Sequence, residues 1–387
     1  MATLTTGAAL DPIALTEALV AIDSVNPALV PAGAGETAIA DFCAGWFHEH
    51  GFEVHRLEET PGRPSVVGVL RGSGGGRSLM LNGHYDTVTL AGYDGDPLLP
   101  RRKDGRLNGR GAYDMKSGVA AMMVATAQAA AHHTLRGDVI VCCVADEEHA
   151  SLGTAEVLRH FTSDAGIVTE PMDLEPTLCH KGFVWIEATI HGRAYHGSRP
   201  EFGIDAIAKA GHFLAALDRH ADALNASTGH PLLGPGSIHA SIIRGGEEAS
   251  SYPASCTITI ERRTIPGETP EIVERELRTI LDGLATTVPD FAYTLEMGLV
   301  REPFETSVES EIAQCLLRNA EAVLGTRPPI RAEPFWTDAS LLDQAGIPCL
   351  LFGAAGAGAH SADEWVDIAS IETLTEILAR TIADFCG

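Results

Sequence analysis

Residues 115–148 read MKSGVAAMMVATAQAAAHHTLRGDVIVCCVADEE, and this stretch decides the fold class. Its first half is Ala-rich, apolar and free of proline, which predicts a helix over Met115–His132. A short polar turn follows. The run Asp138–Val144 is then a continuous apolar strand, of the kind buried on both faces, and it ends in the adjacent carboxylates Asp146, Glu147 and Glu148. The same alternation continues outward. Strands are expected at Ser65–Leu70, Ser78–Leu81 and Gly166–Val168, and helices at Pro12–Ile22, Glu36–His50 and Gly153–His160. Alternating strands and helices predict an α/β body with a central, mostly parallel sheet flanked by helices. The apolar stretch from Gly118 to Ala131 is shorter than the ~20 residues of a membrane span and reads as a buried helix.

The texture changes at His180. From there the order is strand Phe183–Ile190, helix Ile204–Leu217, strand Ser237–Ile243, strand Thr257–Arg262, helix Pro270–Leu284 and strand Phe291–Glu296. This βαββαβ order is the split ferredoxin-like α+β unit. A helix at Glu309–Leu324, a strand at Cys349–Phe352 and a helix at Ile371–Phe385 resume the first texture. The expectation is one domain formed by residues 1–179 and 297–387, with a ferredoxin-like domain of residues 180–296 inserted into it.

A chain of 387 residues suits two domains better than one, and 45% hydrophobic against 20% charged residues excludes a disordered polymer. The net charge of −25 repels phosphate backbones and anionic headgroups, so nucleic acid and membrane surfaces are not expected partners. The opening MATLTTGAALDPIALTEALVAIDS has no basic start and carries Asp11, Glu17 and Asp23 among its apolar residues, so it does not read as a signal peptide. Eight cysteines are scattered at 43, 142, 143, 179, 256, 315, 349 and 386 with no CxxC pair, as buried free thiols of a reducing cytoplasm would be.

The chemistry concentrates at strand ends. In Asn82-Gly83-His84-Tyr85-Asp86, residues two apart in extended chain point the same way, so Asp86 can orient the imidazole of His84 for a metal on its other nitrogen. Alone, that pair is better read as a structural histidine. In Gly109-Arg-Gly-Ala-Tyr-Asp114-Met-Lys-Ser-Gly118 a glycine-flanked loop delivers Asp114 to a helix start, where an ordinary cap is the simpler reading. The same event then recurs. Asp146-Glu147-Glu148 end one apolar strand, Glu170 ends Gly166-Ile-Val-Thr-Glu170, and Pro348–Gly353 leads on to His360. Carboxyl ends of strands are where open α/β sheets bind ligands. Two histidines and several carboxylates make N and O donors suited to zinc, cobalt or manganese. Their number suggests two ions: His84 and Glu170 on one, Glu148 and His360 on the other, and Asp114 shared between them. Glu147, left over, suits the general base that takes a proton from a metal-activated water.

With these segments in view, the sequence resembles the dinuclear zinc amidohydrolases and peptidases that include acetylornithine deacetylase, succinyl-diaminopimelate desuccinylase, aminoacylase and carboxypeptidase G. GHYDTV, GRGAYDMKSG, ADEEHASLGT, VTEP and GAGAHSADE match the family's metal-site segments in type and order, and the resemblance spans nearly the whole chain. It implies His84, Asp114, Glu148, Glu170 and His360 as metal ligands, Asp86 as the orienting carboxylate and Glu147 as the general base. In Gly192-Arg-Ala-Tyr-His196-Gly-Ser-Arg-Pro200 the family's histidine, here His196, reaches the partner subunit's site to hold the oxyanion. Arg263, in Glu261-Arg-Arg-Thr-Ile-Pro-Gly-Glu268, matches an arginine suited to a substrate carboxylate. Ser250, three residues before Pro253, stands where many relatives carry Asn.

The resemblance implies a hydrolase that cleaves the amide of an N-acyl amino acid, with two divalent ions per chain and a homodimer formed through the inserted lid domain. A dipeptidase or carboxypeptidase of the same family, and a metal-binding module without catalysis, are the competing readings.

Overall fold

The computed structural model describes residues 10–387, so the first nine residues of the N-terminal stretch read above lie outside the described residues. The carboxylate-terminated strand, Val139–Val144, lies in the interior of a sheet whose order begins Glu53–Leu57, Ser65–Leu70, Val139–Val144, Leu79–His84, Ala165–Val168, Cys349–Leu351 and continues with Thr177–His180. Neighbours from Val139–Val144 to Cys349–Leu351 run parallel. The two strands before it are antiparallel. Every residue of Leu79–His84 and of Val139–Val144 is buried, which is why both read as unbroken apolar runs rather than as alternation. Their parallel register sets His84 level with Val144, so Asp146, Glu147 and Glu148 emerge from the sheet just beyond the histidine.

The Ala-rich helix spans Ser117–His132 and is buried along nearly its whole length, packed against the closing helix Ile368–Cys386. Its small side chains let two layers approach closely. A Cβ on Gly118 would stand 2.2 Å from the carbonyl oxygen of Thr169, the residue before Glu170. The helices start where capping chemistry dictates: Asp11 accepts the backbone N–H groups of Ile13 and Ala14, and Asp367 accepts that of Ser370. Among the described residues no helix is long and apolar enough to cross a membrane. All eight cysteines are free and buried.

Two of the elements without an expectation from the sequence show why. The edge strand Glu53–Leu57 carries charged and polar side chains on a partly exposed edge and so lacks an apolar signature. A second antiparallel sheet joins Arg101–Lys103, Arg106–Asn108, Trp365–Asp367 and Gly356–Ala357, pieces of two or three residues that are too short for any periodicity to register.

By its internal contacts the chain divides into two units. One comprises residues 10–178, Thr306–Arg331 and Thr337–Gly387, and the other Cys179–Glu305 with Ala332–Trp336. The second unit follows the βαββαβ order, its antiparallel sheet running Ser237–Gly245, Ser255–Thr264, Gly182–His191, Ala292–Arg301. Helices Ala206–Asn225 and Pro270–Thr287 bury Phe213, Leu217, Val273, Leu277 and Leu281 in a core of its own. The expected end at residue 296 falls short, because the last strand continues to Arg301 and Ala332–Trp336 returns to this unit.

Candidate metal centre

His84 closes its strand with a side chain 1% exposed. Its Nε2 lies 3.2 Å from Asp114 Oδ1, and 3.9 Å from both Glu147 Oε2 and Glu170 Oε1. On the other side of the ring, Nδ1 stands 3.1 Å from the backbone carbonyl of Asp86 and 3.5 Å from its carboxylate. The backbone oxygen of Asp86 is therefore the nearer partner of the ring. The carboxylate is used elsewhere: Oδ1 accepts the N–H of Glu147 at 3.1 Å, and Oδ2 accepts the N–H of Glu148 at 3.3 Å and Asn26 Nδ2 at 2.8 Å.

Asp114 sits in the turn Ala112–Lys116, after Gly111 at φ +76°, a conformation that glycine adopts without strain. The peptide between Asp114 and Met115 is cis. The carboxylate of Asp114 faces two histidines at once, through Oδ1 to His84 and through Oδ2 to His360 Nε2 at 3.4 Å. Glu148 Oε2 approaches the same His360 nitrogen at 2.9 Å. The two strand-end glutamates, the loop aspartate and the two histidines expected from the sequence thus converge, with Glu147 beside them. Two sets of ligand atoms, His84 with Asp114 and Glu148, and His84 with Glu147 and Glu170, each lie within 4.8 Å of one another.

The electrostatics explain what this cluster needs. Burial, with the neighbouring Asp114 carboxylate adding to it, pushes the Glu148 carboxyl up to about 7 and that of Glu170 up to about 8. Glu147 is driven well above the usual carboxylate range by burial and by Glu170. Burial would raise Asp114 too, but hydrogen bonds from His360 and His84 hold it below its ordinary value. Bonds to Asp114 and Glu148 in turn lift His360 to about 10. Acidic groups outnumber the imidazoles and are crowded out of water, a cost that divalent cations at their centre would relieve. The donor set of imidazole nitrogens and carboxylate oxygens fits such ions.

A second layer, without a signature in the sequence, holds these groups. Asn26 Nδ2 bridges Asp86 and Asp146, at 2.8 and 3.0 Å. Arg63 donates to Asp146 Oδ1 and to Glu36 Oε1, both at 2.6 Å, and to Asn26 Oδ1 at 3.1 Å. Asp146 itself sits in the left-handed region, at φ +69°, where the turn into Glu147 begins. On the far side, Asn82 Nδ2 donates to Thr154 Oγ1 and Thr154 to Asp338 Oδ2, at 3.0 and 2.6 Å. Burial raises Asp338 to about 6. Apart from Asp146, which adjoins Glu147, only spatial neighbourhood reveals these residues, because their partners are distant in sequence.

The remaining expected residues belong to the second unit. His196 lies in an exposed loop, its Nδ1 2.7 Å from Ser198 Oγ, and its segment pairs with that of Ser250 through a Gly197 N–H to Ser250 carbonyl bond of 2.7 Å. The Arg263 guanidinium stacks over the Phe183 ring at 5.1 Å and donates Nε to Glu261 at 2.7 Å.

Residues 80–384 match the model of peptidase family M20/M25/M40. The chain belongs to this family. It is 31% identical over 332 residues to an acetylornithine deacetylase of Myxococcus xanthus, covering 84% of each chain. It is 28% identical to an N-formyl-4-amino-5-aminomethyl-2-methylpyrimidine deformylase of Bacillus subtilis, covering 92% of this chain and 91% of that one. Among solved structures, the aminopeptidase PepT of Bacillus cereus superposes with a TM-score of 0.79 at 18% identity, over 97% of this chain and 98% of that one. A dinuclear metal-binding peptidase of the M20 family from Bacillus subtilis superposes at 0.73 and 15% identity, over 97% of each. These structures share the fold. As a member of the M20 family, the protein is a metal-dependent hydrolase of amide or peptide bonds.

Proposed function

We propose that this M20 protein is a cytoplasmic deacylase that hydrolyses the amide of small N-acyl amino acids with two divalent ions, zinc foremost and cobalt or manganese as alternatives. The observation that carries the reading is the Asp114 carboxylate, whose oxygens face His84 and His360 at 3.2 and 3.4 Å. In this reading Asp114 is shared, His84 and Glu170 complete one ion's protein ligands, and Glu148 and His360 the other's. Held by these residues, divalent ions would supply Lewis-acid polarisation of the substrate carbonyl and a water of lowered pKa.

The chain's own residues do the rest. Glu147, buried beside the ligands, takes the water's proton on its carboxylate and passes it to the departing amine. Asp86 keeps Glu147 in place through its backbone N–H. His196, supplied by a partner chain in a homodimer, donates to the oxyanion as it develops. Arg263 recognises the substrate carboxylate, which competes with Glu261 for the guanidinium, and Ser250, whose carbonyl accepts the Gly197 N–H, contributes to substrate binding from the loop of His196.

Acyl rather than peptide substrates are favoured because curated relatives carry names of acyl removal: a deacetylase, a deformylase and a desuccinylase. The test is a hydrolysis screen of N-acetyl, N-succinyl and N-formyl amino acids against dipeptides, after loading with zinc, cobalt or manganese. Faster turnover of dipeptides would replace this reading with a dipeptidase or carboxypeptidase. A metal-loaded protein that cleaves no amide would leave a binding module.

A further inference from the structure

Glu364 lies four residues past His360, and its carboxylate is the meeting point of two segments of the metal centre. The strand Trp365–Asp367 pairs with Arg106–Asn108, Trp365 opposite Asn108, which lays Glu364 alongside the loop that ends in Asp114. The carboxyl group is 1% exposed. Oε1 accepts the backbone N–H groups of Tyr113 and Asp114, each at 3.0 Å. Oε2 accepts the N–H of Gly111 at 3.0 Å and Arg110 Nη1 at 2.8 Å. Arg110, itself buried, donates Nη2 to the carbonyl of Ser361 at 2.9 Å, one residue beyond His360.

Four donors use the lone pairs of this carboxylate, so it is a support behind the site and not a further ligand. One buried ion pair thereby ties the backbone of Asp114 to the backbone next to His360. Paired charges of this kind are worth little as bare stability, but breaking one leaves the other uncompensated, so the geometry they impose is held firmly.

We infer that Glu364 is a positioning residue that sets the Asp114 carboxylate against both histidines and so governs the affinity of both metal positions, while Arg110 carries this hold only to the backbone beside His360, the ligand of one of them. The inference rests on the proposal that Asp114 and His360 are ligands. Glu364→Gln keeps the side-chain volume but turns an NH2 group towards backbone donors and leaves Arg110 without its counter-charge. Arg110→Lys keeps the charge and Glu364's three backbone bonds, yet a single ammonium cannot reach Glu364 and the Ser361 carbonyl as the planar fork does.

The test is titration of metal-free protein with Co2+, followed by calorimetry and by the visible absorption of the bound ion, with circular dichroism to establish folding. Wild-type protein should take up two ions. Glu364→Gln should lose about 10- to 100-fold in affinity for both, the range typical for groups that orient ligands, with an altered absorption band. Arg110→Lys should weaken one ion and spare the other. Folded variants with wild-type isotherms and bands overturn the inference. Should Glu364→Gln fail to fold, Arg110→Lys decides, and equal loss at both ions or at neither overturns it. A wild-type protein that takes up no cobalt overturns the reading of the ligands, and the inference falls with it.

Discussion

The carboxylate of Asp86 accepts the backbone N–H of Glu147 at 3.1 Å, and with its second oxygen the N–H of Glu148 at 3.3 Å. One side chain behind His84 thus fixes the consecutive residues proposed as the base and as a ligand. Asn26 and Arg63 extend this support to Asp146, so the turn that delivers both glutamates is held by groups that touch neither metal nor substrate. The role differs from simple orientation of an imidazole, for which the backbone carbonyl of Asp86 is closer.

Asp86→Ala should therefore lower turnover and metal affinity together, each by about 10- to 100-fold, as is usual when a supporting carboxylate is removed. Asp86→Asn offers one acceptor to two N–H groups and should fall between the two. Turnover paired with calorimetric metal affinity checks this. A loss confined to affinity would mean that Glu147 does not depend on Asp86.

Glu147→Gln should keep the fold and both ions but lose the proton carrier, with kcat down on the order of 10²–10⁴-fold. Metal content by elemental analysis and turnover on an N-acetyl amino acid measure both halves. Turnover at the wild-type rate excludes Glu147 as the base.

Metal stoichiometry separates the shared from the separate ligands. Two ions per chain are expected at saturation. Asp114→Asn should weaken both ions, whereas Glu170→Gln and His360→Ala should each weaken one. Equal single-ion loss in all three variants would remove Asp114 from its bridging place.

The pH dependence of the metal-free protein follows from its buried acids. Glu148, Glu170 and Asp338 titrate near 7, 8 and 6 when folded, above their values in an unfolded chain. The folded state thus binds more protons than the unfolded state through this window, and its stability falls as pH rises from about 5 to 8. His360, raised to about 10, adds to the trend, since its stabilisation is full below its unfolded value and is lost as pH climbs through the folded one. Melting temperature without metal should decline across that range. Excess zinc should abolish the decline, because bound cations hold the carboxylates ionised. A flat metal-free profile contradicts the burial argument.

How much of the fold and the site is legible in the amino-acid sequence depends on the length of the signal. Val139–Val144 and Ser117–His132 are long, uniformly apolar and buried throughout, so their type and place can be read directly. Glu53–Leu57 cannot, since an edge strand lined with charge has no core face to mark it. The strand-end acids and histidines stand out because buried strands rarely close on carboxylates. Arg63, Asn26 and Asp338 do not: an isolated arginine, asparagine or acid reads as surface until the fold encloses it, and Glu364, although it closes GAGAHSADE, shows its role only through its backbone partners.

Assembly gives the last expectation. In the second unit the strand Ser237–Gly245 forms a sheet edge that is exposed from His239 onward, with Ile242 and Ile243 46% and 52% exposed. An uncovered edge with apolar side chains is a template for pairing with another strand, and a two-fold homodimer through this edge would cover it with the same edge of a second copy. Ile243→Lys should then shift sedimentation towards the monomer. If the dimer also carries each His196 to the other chain's metal centre, chains bearing only His196→Ala or only Glu147→Gln are inactive alone. Mixed, they form hybrids in which one site holds both lesions and the other holds neither. Activity should reappear on subunit exchange, in proportion to the hybrid population. A mixture that stays inactive while exchange is shown to occur, or a fully active monomer, removes His196 from the partner's site.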